Sequence, residues 1–253
     1  MNGGQNPLPF RLGPGALLLP TPLVFLPFLW VEIPPLVDVP GHIAASAIAA
    51  APSGSPLRDY YSWQWALVPN LGGEVLIHLI GAWRGTIAAG WWTSLIATAL
   101  FTLGSLITVR ALNPRGWHGL GWAMLFIYGF PWLWGFTNFV LAAGLSLLAF
   151  GLSVNLQGRP GWRSAILVAA QPLAFLSHAV GGLILPLLIL AEAFGSALDA
   201  PDRSPRRVIG QLAAQCWPLA VSAAALLAWL VAAPAPEHTG LAWDMLGKLD
   251  FLI

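Results

Sequence analysis

The sequence predicts an all-α fold, a polytopic transmembrane helical bundle of about seven spans. Hydrophobic residues make up 57% of the chain and charged residues only 8%, whereas an average soluble domain carries about 25% charged residues. Mean hydropathy is +0.74. The apolar runs are continuous rather than alternating in polarity, which favours helices over a transmembrane barrel. At about 20 residues per span, a single domain over residues 1–253 accommodates roughly six to eight spans.

The predicted spans are joined by connections that are mostly short, which favours antiparallel neighbours. The first span contains Pro20, Pro22 and Pro27, so we expect a kinked helix whose freed carbonyls are satisfied by neighbours or water. The predicted spans are 14–33, 86–109, 117–133, 137–155, 163–178, 181–198 and 208–233.

The long segment 34–85 separates the first two predicted spans and mixes polar with apolar residues. Its apolar patches, 43–51 and 75–83, are about nine residues long, which is too short to cross a bilayer at about 1.5 Å per residue. We therefore expect interfacial helices within a long first outer loop. Residues 234–253 are expected to begin a further outer segment.

The basic residues predict the orientation of the bundle. If the N-terminus is cytoplasmic, only Arg58, Arg84 and Lys248 lie outside, and the other basic residues fall inside, as the positive-inside rule requires. The inner residues, eight of 11 Lys and Arg, are Arg11, Arg110, Arg115, Arg159, Arg163, Arg203, Arg206 and Arg207. The polar candidates described below then lie on the outer side.

Composition also excludes some classes of function. A net charge of +1 gives no reason to expect nucleic acid as a partner. The single cysteine, Cys216, excludes an internal disulfide and a cysteine-rich metal site.

The stretch PPLVDVPGHIAAS, residues 34–46, places a carboxylate and an imidazole just after the first span. Asp38 and His42 lie one helical turn apart if a helix starts near Val39. A carboxylate at the water–membrane boundary can accept a proton from a hydroxyl, and a protonated histidine can bind a phosphate oxygen. The same pattern also fits a helix N-cap with Pro40 in the first turn and an ordinary interfacial histidine.

Three further residues on the outer side are candidate substrate ligands. His178 lies between the fifth and sixth predicted spans and returns to the outer face, where it can instead be a helix-end histidine bonded to a carbonyl. Arg58 and Arg84 are the two arginines on the predicted outer side and can bind an anionic group. Arg84 equally suits an anchor among lipid headgroups.

Other residues are expected to have structural roles. Glu74 and His78, at helical spacing, are expected on the wet face of an interfacial helix. Asn138 is expected to cap the fourth span. Gly144 and Gly151 are expected to permit close packing of helices.

The local strings PPLVDVPGHIA, WALVPNL, WGFTNFVLAAGLSLLAFGL and FLSHAVGGLILPLLILA resemble a group of bacterial membrane proteins with the layout of the GT-C superfamily of polytopic glycosyltransferases. The resemblance covers roughly residues 15–195. It implies transfer of a sugar from a polyprenyl-phosphate donor to an acceptor on the outer face of the bacterial inner membrane. The acidic residue that follows the first helix in that family corresponds to Asp38, which implies a general base or a residue that orients the acceptor or a metal. The resemblance also implies a donor phosphate that needs a cation, for which Arg58 and Arg84 are the outer arginines available.

The chain departs from this family in two respects. Family members usually continue for several more spans, which implies that residues 1–253 are an N-terminal half or a shortened descendant. A lone Asp38 stands where the family has a DE or ED pair, so no cofactor is firmly implied and a divalent cation is left as an open alternative.

The implied partners are membrane lipid and a polyprenyl-phosphate-linked sugar. Two other classes of function are retained. A non-catalytic subunit of a membrane complex would use the same fold to contact protein partners. A transporter or flippase is less favoured, because transporters place ionisable residues near the bilayer midplane and the predicted spans are nearly free of charge.

Overall fold

The computed structural model describes residues 21–65, 67–113, 118–201 and 203–232. These residues form helices joined by turns, and no strand occurs among them, in agreement with the predicted fold class. A 3-10 helix, Thr21–Leu29, comes first. The helices that follow are α1 Val39–Ala50, α2 Leu57–Tyr60, α3 Gly72–Arg84, α4 Thr86–Leu112, α5 His118–Ile127, α6 Phe130–Leu133, α7 Thr137–Asn155, α8 Pro160–Ser177, α9 Ala179–Gly182, α10 Ile184–Asp199 and α11 Pro205–Ala232.

Four helices in the described part of the chain are long and apolar enough to cross a membrane, which indicates a membrane protein. They match the second, fourth, sixth and seventh predicted spans, the sixth being α9 and α10 together. The four are Thr86–Leu112, Thr137–Asn155, Ala179–Asp199 and Pro205–Ala228. The predicted outer segment 234–253 lies outside the described residues.

The other three predicted spans differ from expectation. Residues 14–20 of the first lie outside the described residues, and its remainder holds the 3-10 helix, with Pro27 inside. The third is divided into α5 and α6, where Gly129 precedes a helix that has Pro131 in its first turn. The fifth, α8, is 18 residues long but contains Arg163 and is less apolar than the four helices above.

The helices α4 and α7 run in the same direction and pack closely through glycines. A Cβ added at Gly144 would lie 2.7 Å from the backbone nitrogen of Phe101, and one at Gly151 would lie 2.7 Å from that of Thr108. The close packing predicted at Gly144 and Gly151 is therefore confirmed. Because the two helices are parallel, the chain between them, which includes α5 and α6, must return along the bundle.

The helices α8 and α10 continue the bundle in alternating directions. The amide of Gln157, just after α7, donates to Glu192 of α10 at 2.7 Å. Arg163 of α8 donates to the carbonyl of Gln215 in α11 at 3.3 Å, and Ser222 of α11 donates to the carbonyl of Val168 in α8 at 3.2 Å, so α8 and α11 run in the same direction. The bundle thus has two ends: the Asp38 end, where α1, α3, α4, α7 and α9 begin, and the Arg163 end, where α8 and α11 begin.

The predicted interfacial helices correspond to α1 and α3, which pack against the first turns of α4. A Cβ added at Gly90 would lie 2.5 Å from Cδ1 of Ile43, so α1 and α4 touch there. Val39 joins Phe28 and Trp132 in the hydrophobic core at this end. With 12 and 13 residues, α1 and α3 extend about 18–20 Å, short of the bilayer's hydrocarbon core of about 30 Å.

Candidate functional site

A cavity of about 200 Å³ lies at the Asp38 end of the bundle. Its lining comes from the starts of α1 and α7, the turn before α3 and the residue before α9. The lining residues are Asp38, His42, Asn70, Phe136, Asn138 and His178. Three of the residues predicted from the sequence to form a site, Asp38, His42 and His178, are therefore brought together, although His178 is distant from the other two in the chain.

The backbone of Asp38 is fixed by the turn that leads into α7. Its amide donates to the carbonyl of Trp134 at 3.0 Å, and its carbonyl accepts the amide of His42 at 3.1 Å as α1 begins. Gly135 has φ +79, and a Cβ there would lie 2.8 Å from the Asp38 nitrogen, so only glycine allows this approach. Asp38 occupies the N-cap position, yet its carboxylate caps no amide of α1.

His42 is held by a carboxylate that the sequence analysis did not assign to the site. Its Nδ1 lies 2.7 Å from Oε1 of Glu74, and the two side chains are 20% and 14% exposed. Glu74 was predicted on a wet helix face, and that prediction is wrong: Glu74 is mostly buried between α3, α1 and α7. With Nδ1 engaged, Nε2 is the ring nitrogen of His42 left for a ligand in the cavity.

The two partners shift each other's protonation equilibria in the directions of an ion pair. The hydrogen bond to Glu74 raises the pKa of His42, helped by the charges of Glu74 and Asp38 and opposed by burial. Burial alone would raise the pKa of Glu74, but hydrogen bonds from His42 and Asn138 outweigh it and lower that pKa. The pair therefore favours an imidazolium beside a carboxylate.

Asn138 links the start of α7 to the start of α3. Its Nδ2 donates to Oε2 of Glu74 at 2.8 Å and to the carbonyl of Asn70 at 3.0 Å, and its Oδ1 accepts the amide of Gly73. The side chain is 2% exposed and does not cap α7, so its predicted capping role is wrong. The sequence signal for this role was an amide side chain in a long apolar segment. Such a segment is expected to be buried, and a buried amide must be paired.

His178 sits where the turn before α3 meets the end of α8. The amides of Asn70 and Leu71 donate to the carbonyl of Leu176 at 3.0 and 2.9 Å. Nδ1 of His178 accepts the amide of Gly181 at 3.1 Å, so the ring caps α9 rather than bonding to a carbonyl. Burial lowers the pKa of His178, which precedes the membrane span, and a neutral ring with Nδ1 accepting carries its proton on Nε2.

The structure does not bring Arg58 and Arg84 to the cavity. Arg58 donates to the carbonyls of Ala49 and Ala51, with Nη2 2.7 Å from the Ala51 oxygen, and so satisfies the last turn of α1. Arg84 is exposed at the C-terminal end of α3, with its guanidinium 4.8 Å from the ring centre of Trp83. Both contacts are structural, and the Arg84 contact suits its alternative role as an anchor among headgroups.

The electrostatics of the cavity combine helix ends with titratable side chains. The N-terminal ends of α1, α3 and α7 carry partial positive charges, and all three helices begin at the cavity. These helix ends favour an anionic group in the cavity, whereas the Asp38 carboxylate opposes one and the His42 imidazolium is balanced by Glu74. Among the residues that the structure describes, no group of three His, Cys, Asp or Glu side chains is placed to hold a metal ion.

No protein-family model matches the chain, and no curated protein or solved structure matches it either. The fold and the site define an all-helical membrane protein with a polar cavity at one end of its bundle. An activity is therefore inferred from the geometry of the cavity.

Proposed function

We propose that the chain is a GT-C-like glycosyltransferase, which moves a sugar from a polyprenyl-phosphate donor to an acceptor on the outer face of the membrane. One observation carries the proposal. The Asp38 carboxylate, which caps no amide of its helix, shares a cavity with a histidine whose pKa is raised by a buried carboxylate. A base and a cationic phosphate ligand thus stand side by side, which is what sugar transfer from a lipid phosphate requires.

Each side chain of the cavity has a separate role in the proposed reaction. As the acceptor oxygen bonds to the anomeric carbon, its proton passes to Asp38. The bond from that carbon to the phosphate oxygen breaks, and its electron pair stays on the polyprenyl phosphate. Nε2–H of the His42 imidazolium and Nε2–H of His178 donate to the phosphate as its charge grows. Glu74 holds His42 in position, and Asn138, which also lines the cavity, holds Glu74.

The size of the cavity suits the head of the proposed lipid-linked donor. About 200 Å³ is smaller than the roughly 300–1,000 Å³ of pockets that enclose drug-sized ligands. It suits the sugar-phosphate head of a lipid whose apolar tail stays in the bilayer. Phe136 in the lining provides an apolar surface on which a sugar ring can pack.

The proposed topology has seven spans, a cytoplasmic N-terminus and the Asp38 end outside. The parallel course of α4 and α7 supports a crossing between them, as the predicted span 117–133 requires. Among the described arginines, Arg58 and Arg84 lie at the Asp38 end and the others at the Arg163 end, which supports this orientation. In a Cys216→Ser background, cysteines at positions 55 and 204 should be labelled from the outside and the inside, respectively. Outer labelling at position 204 would overturn the topology.

The test of function is the substitution Asp38→Asn, assayed as sugar transfer from a polyprenyl-phosphate sugar in membranes that contain the protein. Loss of the base should lower the rate by about 10²- to 10⁴-fold, while the amount of folded protein is unchanged because the carboxylate caps no amide. The matched control is Asp59→Asn, the same change at an exposed carboxylate of the same loop, which should leave the rate unchanged. Equal rates for Asp38→Asn and the wild type, both above the rate of membranes that lack the protein, would reject Asp38 as the base. No transfer above that background by the wild type would favour the non-catalytic subunit.

A further inference from the structure

A second polar cavity, of about 380 Å³, lies at the Arg163 end, between α8, α10 and α11. Arg163, Glu192, Gln157 and Gln215 line it together with Trp217, whose side chain is half exposed. It is separated from the Asp38 cavity by the length of the bundle, so the proposed reaction does not use it.

Arg163 is buried in this cavity but incompletely paired. It is 9% exposed, and its guanidinium reaches Oε2 of Glu192 only at 3.5 Å and the Gln215 carbonyl at 3.3 Å. Its Nε and the side-chain oxygen Oε1 of Gln215 have no hydrogen-bond partner among the described residues. Both atoms are buried at the wall of the cavity, and a ligand that supplies an acceptor and a donor would satisfy them.

The charges limit what that ligand can be. Arg163 and Glu192 together are neutral, so a zwitterion complements them better than an anion or a cation does. A phosphate oxygen would accept from Nε of Arg163. An ammonium with N–H donors would reach Glu192 and Oε1 of Gln215, and the Trp217 ring offers a cation–π face.

We propose that this cavity binds the phosphoethanolamine headgroup of a membrane phospholipid from the leaflet at the Arg163 end. An apolar cavity of about 490 Å³ lies between the same three helices, lined by Leu190, Leu219 and Ala223 among others. It receives an acyl chain of the same lipid. The headgroup is selected by its ammonium N–H groups, which phosphatidylcholine lacks, and by its cation, which phosphatidylglycerol lacks.

The test uses the full chain purified in mild detergent and an equimolar mixture of phosphatidylethanolamine, phosphatidylcholine and phosphatidylglycerol with identical acyl chains. Native mass spectrometry counts the lipid retained. The wild type should retain phosphatidylethanolamine at least about fivefold over either competitor. The double variant Arg163→Gln/Glu192→Gln, which leaves no unpaired buried charge, should lower that retention about tenfold, as loss of a charged hydrogen bond implies. The control Arg159→Gln, at an exposed arginine of the same end, should change nothing.

A second variant tests the cavity without removing its buried charges, in case the double variant does not fold. Gln215→Leu removes the open acceptor, keeps the backbone carbonyl that Arg163 contacts and buries no charge. It should bring phosphatidylethanolamine and phosphatidylcholine to equal retention. Equal retention of these two lipids by the wild type, preference for phosphatidylglycerol, or unchanged retention in both cavity variants would each overturn the proposal. The last result is expected if another segment of the chain fills the cavity.

Discussion

The two ends of the bundle each carry a carboxylate beside a cationic side chain, and the two pairs differ in how completely they are satisfied. At the Asp38 end, Glu74 lies 2.7 Å from His42 and its second oxygen is held by Asn138 at 2.8 Å. At the Arg163 end Gln157 likewise holds one oxygen of Glu192 at 2.7 Å, but the ion-pair distance is 3.5 Å. Nε of Arg163 and Oε1 of Gln215 there have no hydrogen-bond partner among the described residues. The first pair is complete without a ligand, and the second is not.

This difference separates two uses of buried charge. A complete pair fixes a side chain in one orientation and one protonation state before any substrate arrives, which is what a reacting site needs. An incomplete pair leaves interaction energy for a ligand to gain on binding. A carboxylate beside a cationic side chain therefore fixes a reacting residue at the Asp38 end and leaves groups to bind a ligand at the Arg163 end.

The largest effect is expected from breaking the complete pair with Glu74→Gln. The substitution keeps the size of the side chain but removes the negative charge that His42 faces, so a charge-assisted hydrogen bond is lost. We expect the free energy of unfolding to fall by about 1.5–3 kcal/mol, measured by denaturant unfolding of the purified protein in detergent. Sugar transfer should fall as well, because His42 loses its proton and its orientation.

The control for this substitution is Asp59→Asn, which removes an exposed carboxylate from the same loop and should change the free energy of unfolding by less than about 0.5 kcal/mol. If both substitutions have the same small effect, Glu74 is a solvated surface residue, as the sequence suggested.

The contrast between Asp38 and Glu74 shows how far the sequence could predict the site. Asp38, His42 and His178 were found because each follows an apolar segment on the predicted outer side. The predicted order of the spans alone brings these residues to the same end of the bundle. Glu74 was missed because a carboxylate in a short helix is usually solvated. Only the packing of α3 against α7, through Gly73 and Asn138, turns it inward.

The predicted spans also show where prediction from the sequence ends. Continuous apolar segments without proline predicted α4 and α7 nearly to the residue, because burial in lipid requires an unbroken hydrogen-bonded helix. The third and fifth predicted spans contain Pro131 and Pro172, and there local geometry depends on neighbours that a single segment does not reveal. Arg58 shows a related limit, since nothing in its sequence surroundings indicates that it bonds to the carbonyls of Ala49 and Ala51 at the end of α1.

The pH dependence of stability is expected to distinguish the two pairs, with a smaller effect than Glu74→Gln. The folded-state pKa of His42 is raised above its unfolded value of 6.5, so its contribution is fully present below about pH 6.5 and is lost as pH rises through the folded pKa. The folded-state pKa of Glu74 is lowered below 4.5, so its contribution is lost only as pH falls through that lower value. Stability from this pair is therefore greatest between about pH 4.5 and 6.5.

The measurement is the free energy of unfolding at intervals from pH 5 to pH 9. The wild type should lose stability as pH rises through the folded-state pKa of His42. The variant Glu74→Gln should lose much less, and Arg163→Gln/Glu192→Gln should keep the wild-type profile because it removes no group that faces His42. A flat wild-type profile would show that the His42–Glu74 pair does not form.

The smallest effects are expected for the two arginines that the sequence suggested as phosphate ligands. Arg58→Met keeps the apolar stem but removes the hydrogen bonds to the carbonyls of Ala49 and Ala51, so unfolding should become easier by about 1 kcal/mol. Arg84→Met removes an exposed cation–π contact and should change stability by about 0.5 kcal/mol. In both variants the rate of sugar transfer should stay within about twofold of the wild type, since neither guanidinium lies at the cavity. A folded Arg58→Met protein without activity would return Arg58 to the substrate site, and would mean that the donor phosphate binds near the end of α1 rather than beside His42.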